Sequence, residues 1–176
     1  MAMIKISEFK SAVADVARPN RFWVQITGGT AANSWAEQPM AFLAKSASLP
    51  SRTIGDIILN WQGMQTKIAG DPTFDDFTMT FLNDMDFKVK SYFEKWMEEI
   101  STMESNVRTS QNTYKAEIIV TQLGRDASTI LKSYKLIGAY PKQMDAVELS
   151  MESNDTPEEL NVTFGYDYFE VLTNKQ

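Results

Sequence analysis

From Leu160 to Tyr168 the chain alternates without a break. Leu160, Val162, Phe164, Tyr166 and Tyr168 fall on one side, and Asn161, Thr163, Gly165 and Asp167 on the other. Successive side chains of a strand point to opposite faces, so the spacing predicts a strand over about 159 to 170 with one dry and one wet face. The same period recurs where Phe77, Met79 and Phe81 alternate with Asp76, Thr78 and Thr80. It recurs again where Phe22, Val24 and Ile26 oppose Trp23, Gln25 and Thr27, until Gly28-Gly29 ends the run.

Further strands are predicted at 114 to 123 and 129 to 137, with Gly124-Arg125-Asp126 turning between them. A weaker strand runs from Met40 to Ser48 and is closed by Pro50, after a loop over 28 to 39. Between Ser51 and Gly70 the residues Ile57, Ile58, Leu59, Trp61, Met64 and Ile68 suggest one or two short strands, punctuated by Gly55, Gly63 and Gly70. Another short strand is expected near Val147 to Met151, and each proline is expected at a break.

Two segments carry helical spacing instead. Ile6, Phe9, Val13 and Val16 predict a short amphipathic helix before Arg18-Pro19-Asn20. Val89, Tyr92, Phe93, Trp96, Met97 and Ile100 obey the i, i+3, i+4, i+7 rule over about 86 to 100, with Asn83, Asp84 or Asp86 as the cap. Residues 101 to 113 read as a polar connector. The fold class is therefore mainly antiparallel β, a sandwich or barrel-like subunit with a helix against it. One domain is expected over residues 1–176: a helical segment at 1–17, a β core at 18–170 and a tail at 171–176.

Composition narrows the chemistry. The sequence has no cysteine and no histidine, which removes the disulfide, the thiolate zinc site and the commonest neutral-pH base. A net charge of −6 disfavours a broad phosphate-binding surface. Lys5, Glu8 and Lys10 interrupt the first ten residues, and no stretch approaches the ~20 apolar residues of a membrane span. The expectation is a soluble chain made in a cytoplasm, without a cofactor or metal.

Asp71, Asp75 and Asp76 are the candidates for carboxylate chemistry, as a metal site or an acid–base pair on a β scaffold. Their spacing fits neither well. Asp75 and Asp76 are neighbours on an extended chain and point apart, and Asp71 before Pro72 reads as a turn residue. They are assigned to a turn and to the start of a strand. The loop with Glu152, Asn154, Asp155, Glu158 and Glu159 lacks the calcium-loop pattern and reads as a solvated acidic surface. The stripe of Tyr92, Phe93, Trp96, Met97 and Ile100 is read as helix packing. Thr78, Thr80, Asn161, Thr163, Glu117 and Thr121 meet water, on the outside of a sandwich or on the wall of a wet channel.

Six blocks, in order, carry a resemblance: "ARPNRFWVQI", "FLAKSASLP", "AGDPTFDDFTMTFLND", "YKAEIIVTQLGRDAS", "KSYKLIGAYPKQMDAVELSMESND" and "LNVTFGYDYFE". From about Ala17 to Glu170 the chain resembles the tail tube proteins of contractile-tailed, T4-like phages. The resemblance implies a structural virion protein, not an enzyme, whose subunits join in hexameric rings that stack into a tube inside a contractile sheath. It implies copies of itself, the sheath, baseplate, tail-terminator and tape-measure proteins as partners, with DNA passing transiently through the lumen. Leu49, Pro50, Ser51, Arg52, Thr53, Ile54, Gly55 and Asp56 match a segment that touches neighbouring subunits or rings in that family. A conduit should not hold its cargo, and an acidic chain repels phosphate over about 8 Å at physiological salt. The inner tube of a type VI secretion system or other contractile injection machine is the nearest alternative, and a carboxylate-dependent hydrolase the alternative of another class.

Overall fold

The computed structural model describes residues 17–28, 43–105, 107–126 and 128–172, together with Ile6 and Ala41. The helix expected before Arg18 and most of the 28–39 loop lie outside the described residues. Along the chain come β1 (Phe22–Thr27), β2 (Ala44–Ala47), β3 (Arg52–Trp61), β4 (Met64–Phe74) and β5 (Phe77–Leu82). Helices α1 (Lys88–Ile100) and α2 (Gln111–Tyr114) follow, then β6 (Ala116–Leu123), β7 (Ile130–Met144), β8 (Glu159–Gly165) and β9 (Tyr168–Leu172).

Strand β7 belongs to both halves of the fold. Its first part pairs antiparallel with β6 on one side and β9 on the other, and β6 pairs with β1. Its last part, from Tyr140, pairs with β8, which continues to β5 and β2. The strand passes between the two groups at Gly138, whose φ of 69° is open to glycine at little cost.

The dry face predicted for each alternating segment points into one core, except at Tyr168, which is exposed beyond the turn that ends β8. Val24, Ile26, Ile118, Val120 and Leu136 come from the β1–β6–β7 side, and Phe77, Met79, Phe81, Leu160, Val162 and Phe164 from β5 and β8. Helix α1 adds Val89, Tyr92, Phe93 and Trp96, all buried, while Met97 and Ile100 are half-buried at the margin. The rings of Phe93 and Phe164 lie 5.8 Å apart and those of Phe81 and Phe93 5.1 Å apart. Each such side chain contributes about 1.5–3 kcal/mol by leaving water. The indole N–H of Trp96 donates to the Tyr114 carbonyl at 2.8 Å, which ties α1 to α2. None of the expected residues is the N-cap, a position Phe87 takes at a φ of 51°; the Asp84 carboxylate accepts the Lys88 N–H at 2.9 Å from further upstream.

Four expectations are corrected. The stretch 159 to 170 is two strands, because the chain turns at Tyr166 and Asp167. The Asp167 N–H donates to the Ile137 carbonyl at 3.0 Å, and its carboxylate is held by Lys115 at 2.8 and 2.9 Å. Strand β7 extends seven residues past Ile137, through Gly138 and Pro141, and bends where a break was expected. Pro141 adjoins a register shift, a place where a missing ladder donor is tolerated. Residues 147 to 151 form no strand, and Leu149 and Met151 are almost wholly exposed. Finally, Asp71 and Pro72 lie within β4 and not in a turn, with Pro72 opposite Ile54 beside another register shift.

Candidate assembly surfaces

The stretch read as one or two short strands is a hairpin of ten and eleven residues, β3 and β4, reversed at Gln62 and Gly63. Both turn residues have positive φ, 46° and 85°, as the two-residue turns that match strand twist require. The pairing places Ile57 opposite Ile68, Leu59 opposite Thr66 and Trp61 opposite Met64. Directly opposed residues share a face, so these six make one largely apolar side. The other side holds Asp56, Ile58, Asn60, Gln65, Lys67 and Ala69, with Lys67 and Asp56 ion-paired at 2.8 Å.

This apolar side stands exposed, with no described residue outside the hairpin packed across it. Trp61 is 72% exposed and Met64 74%, and every residue of β3 is exposed. The hairpin is anchored at its base, where the Phe74 ring meets Tyr166 and Phe169 at 6.1 and 5.7 Å. A two-stranded ribbon alone is marginal in water, so this one is built to lie against something.

The sequence-derived contact residues sit at its base. Leu49, Pro50 and Ser51 lead into β3, and Arg52, Thr53, Ile54, Gly55 and Asp56 form its first half. Sequence reasoning left the outer half beyond Ile57, Ile58 to Ile68, out of the site. The available signal was an apolar run on each side of Gln62-Gly63.

The three aspartates are not brought together for chemistry. Asp75 accepts a hydrogen bond from the Ser51 hydroxyl at 2.7 Å, which fixes the approach to the hairpin. Asp76, just before β5, pairs with Lys142 of β7 at 2.6 Å, and that carboxylate holds the Lys142 ammonium above its usual range. Asp71 stays on the hairpin. Among the described residues no group of three or more acidic side chains could hold a metal ion.

The wet faces lie outside the sandwich. Thr78, Thr80, Asn161 and Thr163 form a patch on β5 and β8, where the Thr80 hydroxyl donates to Asn161 at 2.8 Å. On β6, Thr121 bonds Ser133 at 3.0 Å and Glu117 pairs with Lys135 at 2.9 Å. Among the described residues, strands β1, β2 and β9 each pair on one side only, which leaves edges able to accept a further strand. No helix among the described residues is long and apolar enough to cross a membrane.

A family model described as phage tail tube protein matches residues 17–172. The chain is 32% identical over 158 residues to tail tube protein gp19 of Enterobacteria phage T4, covering 89% of this chain and 92% of that protein. Its fold is similar to a chain in the anti-feeding prophage baseplate, at 14% identity and a TM-score of 0.66, covering 92% and 99% of the two chains. A chain of the sheath–tube complex of an extracellular contractile injection system matches with a TM-score of 0.63 at 16% identity, covering 92% and 96%. The strand order, the packed helix and these matches converge: the chain belongs to the phage tail tube protein family.

Proposed function

We propose that this chain polymerises into hexameric rings that stack as the rigid inner tube of a contractile phage tail, the conduit for genome ejection. The observation that carries this reading is the β3–β4 hairpin, whose Ile57, Leu59, Trp61, Met64 and Ile68 side stands exposed among the described residues. A neighbouring copy supplies that cover. The one-sided edges at β1, β2 and β9 support lateral pairing into a continuous barrel, and head-to-tail contacts of this kind close into rings or extend as stacks.

The polar patches at Thr78, Thr80, Asn161 and Thr163 and at Glu117 and Thr121 suit a hydrated channel wall. A net charge of −6 per chain disfavours retention of DNA within it. The partners follow from the assembly: sheath outside, baseplate and terminator at the ends, tape-measure protein and then DNA inside. Synthesis in the host cytoplasm and residence in the virion follow as well. No catalytic step is assigned, since Asp75 and Asp76 are taken up by Ser51 and Lys142.

Negative-stain electron microscopy of the purified chain at rising concentration, with its mass in solution, tests this. Baseplate components are added as a nucleus if the pure subunit stays monomeric. Six-fold rings or hollow tubes are expected. A stable closed dimer under every condition would overturn the reading.

A further inference from the structure

Beside the β6–β7 turn lies a cavity of about 390 Å³ whose wall, among the described residues, carries Arg18, Arg21, Arg125 and Lys132 and no carboxylate. Leu123 and Leu131 give it apolar surface. The Arg21 guanidinium is fixed by the Gly124 and Arg125 carbonyls, and the Lys132 ammonium lies 5.1 Å from the Tyr134 ring centre. Asp126, next to Arg125, keeps its negative charge, held by the Ser128 and Thr129 hydroxyls at 2.6 and 2.7 Å, and lies outside the cavity lining, which carries four cations. In a chain of net charge −6 this is a concentrated positive site.

The far end of β7 has the opposite character. Residues 145–159 carry Asp145, Glu148, Glu152, Asp155, Glu158 and Glu159 and no lysine or arginine. Glu158 is bonded by Asn83 and Glu159 by Lys45, while Glu148, Glu152 and Asp155 are exposed. Between them Leu149 is 87% exposed and Met151 fully exposed. Large apolar side chains held in water among acids are the complement of an apolar cavity rimmed by cations.

We propose that the 145–159 segment of one copy docks in the Arg18–Arg125–Lys132 cavity of the next, with Leu149 and Met151 against Leu123 and Leu131. Within its own chain the segment does not fill the cavity: it is held at both ends by the pairing of Met144 and Leu160, and Leu149 and Met151 stand exposed between them. An acidic knob and a basic hole on one molecule make a heterologous contact, which propagates instead of closing as a symmetric dimer. The inference rests on the tube reading for what the contact builds.

The absence of cysteine permits a clean test. An equal mixture of L131C and L149C chains, assembled and oxidised with diamide, should give a covalent dimer that neither variant gives alone. The L131C/L149C double variant should give a ladder of larger species. Adding R125E and K132E should abolish the ladder, and E148K with E152K in the same chain should restore it. Normal tubes in micrographs with no specific cross-link would overturn this contact and leave the tube standing. A ladder from a protein that forms neither rings nor tubes would establish the contact and overturn the tube.

Discussion

Asp167 occupies the space that a side chain at residue 138 would need: a Cβ built on Gly138 would lie 2.2 Å from the Asp167 carboxylate oxygen. That carboxylate is held in turn by Lys115, so the corner where β7 changes sheets and the turn before β9 are one structure. Replacing Gly138 by alanine adds the strain of a positive φ to a steric conflict. A loss of about 1–3 kcal/mol is expected in denaturant unfolding. The G138A/D167A double variant should lose less than the sum of the single changes, because removing the carboxylate relieves the conflict.

Phe164 touches Phe77, Phe93 and Trp96 with ring centres 5.8 to 6.3 Å apart, where β8 meets α1. Truncation to alanine removes a fully buried ring and leaves a cavity that the strands and helix cannot close. Phe164→Ala should destabilise the subunit by about 3–5 kcal/mol. Chemical denaturation with tryptophan fluorescence reads this directly.

The hairpin should behave oppositely. Trp61→Ser and Ile57→Ser act on side chains that are 72% and 52% exposed in the subunit. Subunit stability should change by no more than about 0.5 kcal/mol, the usual range for surface sites. Sedimentation and micrographs should nevertheless show loss of assembly, because the face that a neighbour covers is gone.

Burial, and secondarily the Glu99 charge, pushes the Tyr92 phenol above its ordinary value. The folded state therefore keeps the proton longer than the unfolded chain, in which tyrosine ionises near about pH 10. The stability linked to this group is complete below that pH and is lost as pH rises through the folded value. Thermal unfolding of the wild type should fall off above about pH 10, and Tyr92→Phe should flatten that decline.

The elements that bury one face against their own subunit were legible in the sequence. Phe77-Met79-Phe81, Val24-Ile26 and the Val89-Phe93-Trp96 stripe all point where their periods place them, since period and burial report the same core. The β3–β4 hairpin was only partly legible: its apolar residues are sorted by a face that none of the described residues beyond the hairpin covers. The break between β8 and β9 was missed because Lys115 and Ile137, distant in sequence, hold the turn at Asp167. Gly138 and Pro141 carry the local chemistry of a stop, yet they mark a bend in a strand that continues. At the candidate site, the base from Leu49 to Asp56 came from family resemblance, and the outer half from the pairing in the structure.

The most direct test of the central claim is a helical reconstruction by electron cryomicroscopy of tubes assembled from the full chain. The account predicts that the Ile57, Leu59 and Trp61 side of the hairpin is buried against a neighbouring copy in a hollow, six-fold assembly. A tube in which that side projects into solvent, or an assembly without a lumen, would contradict it.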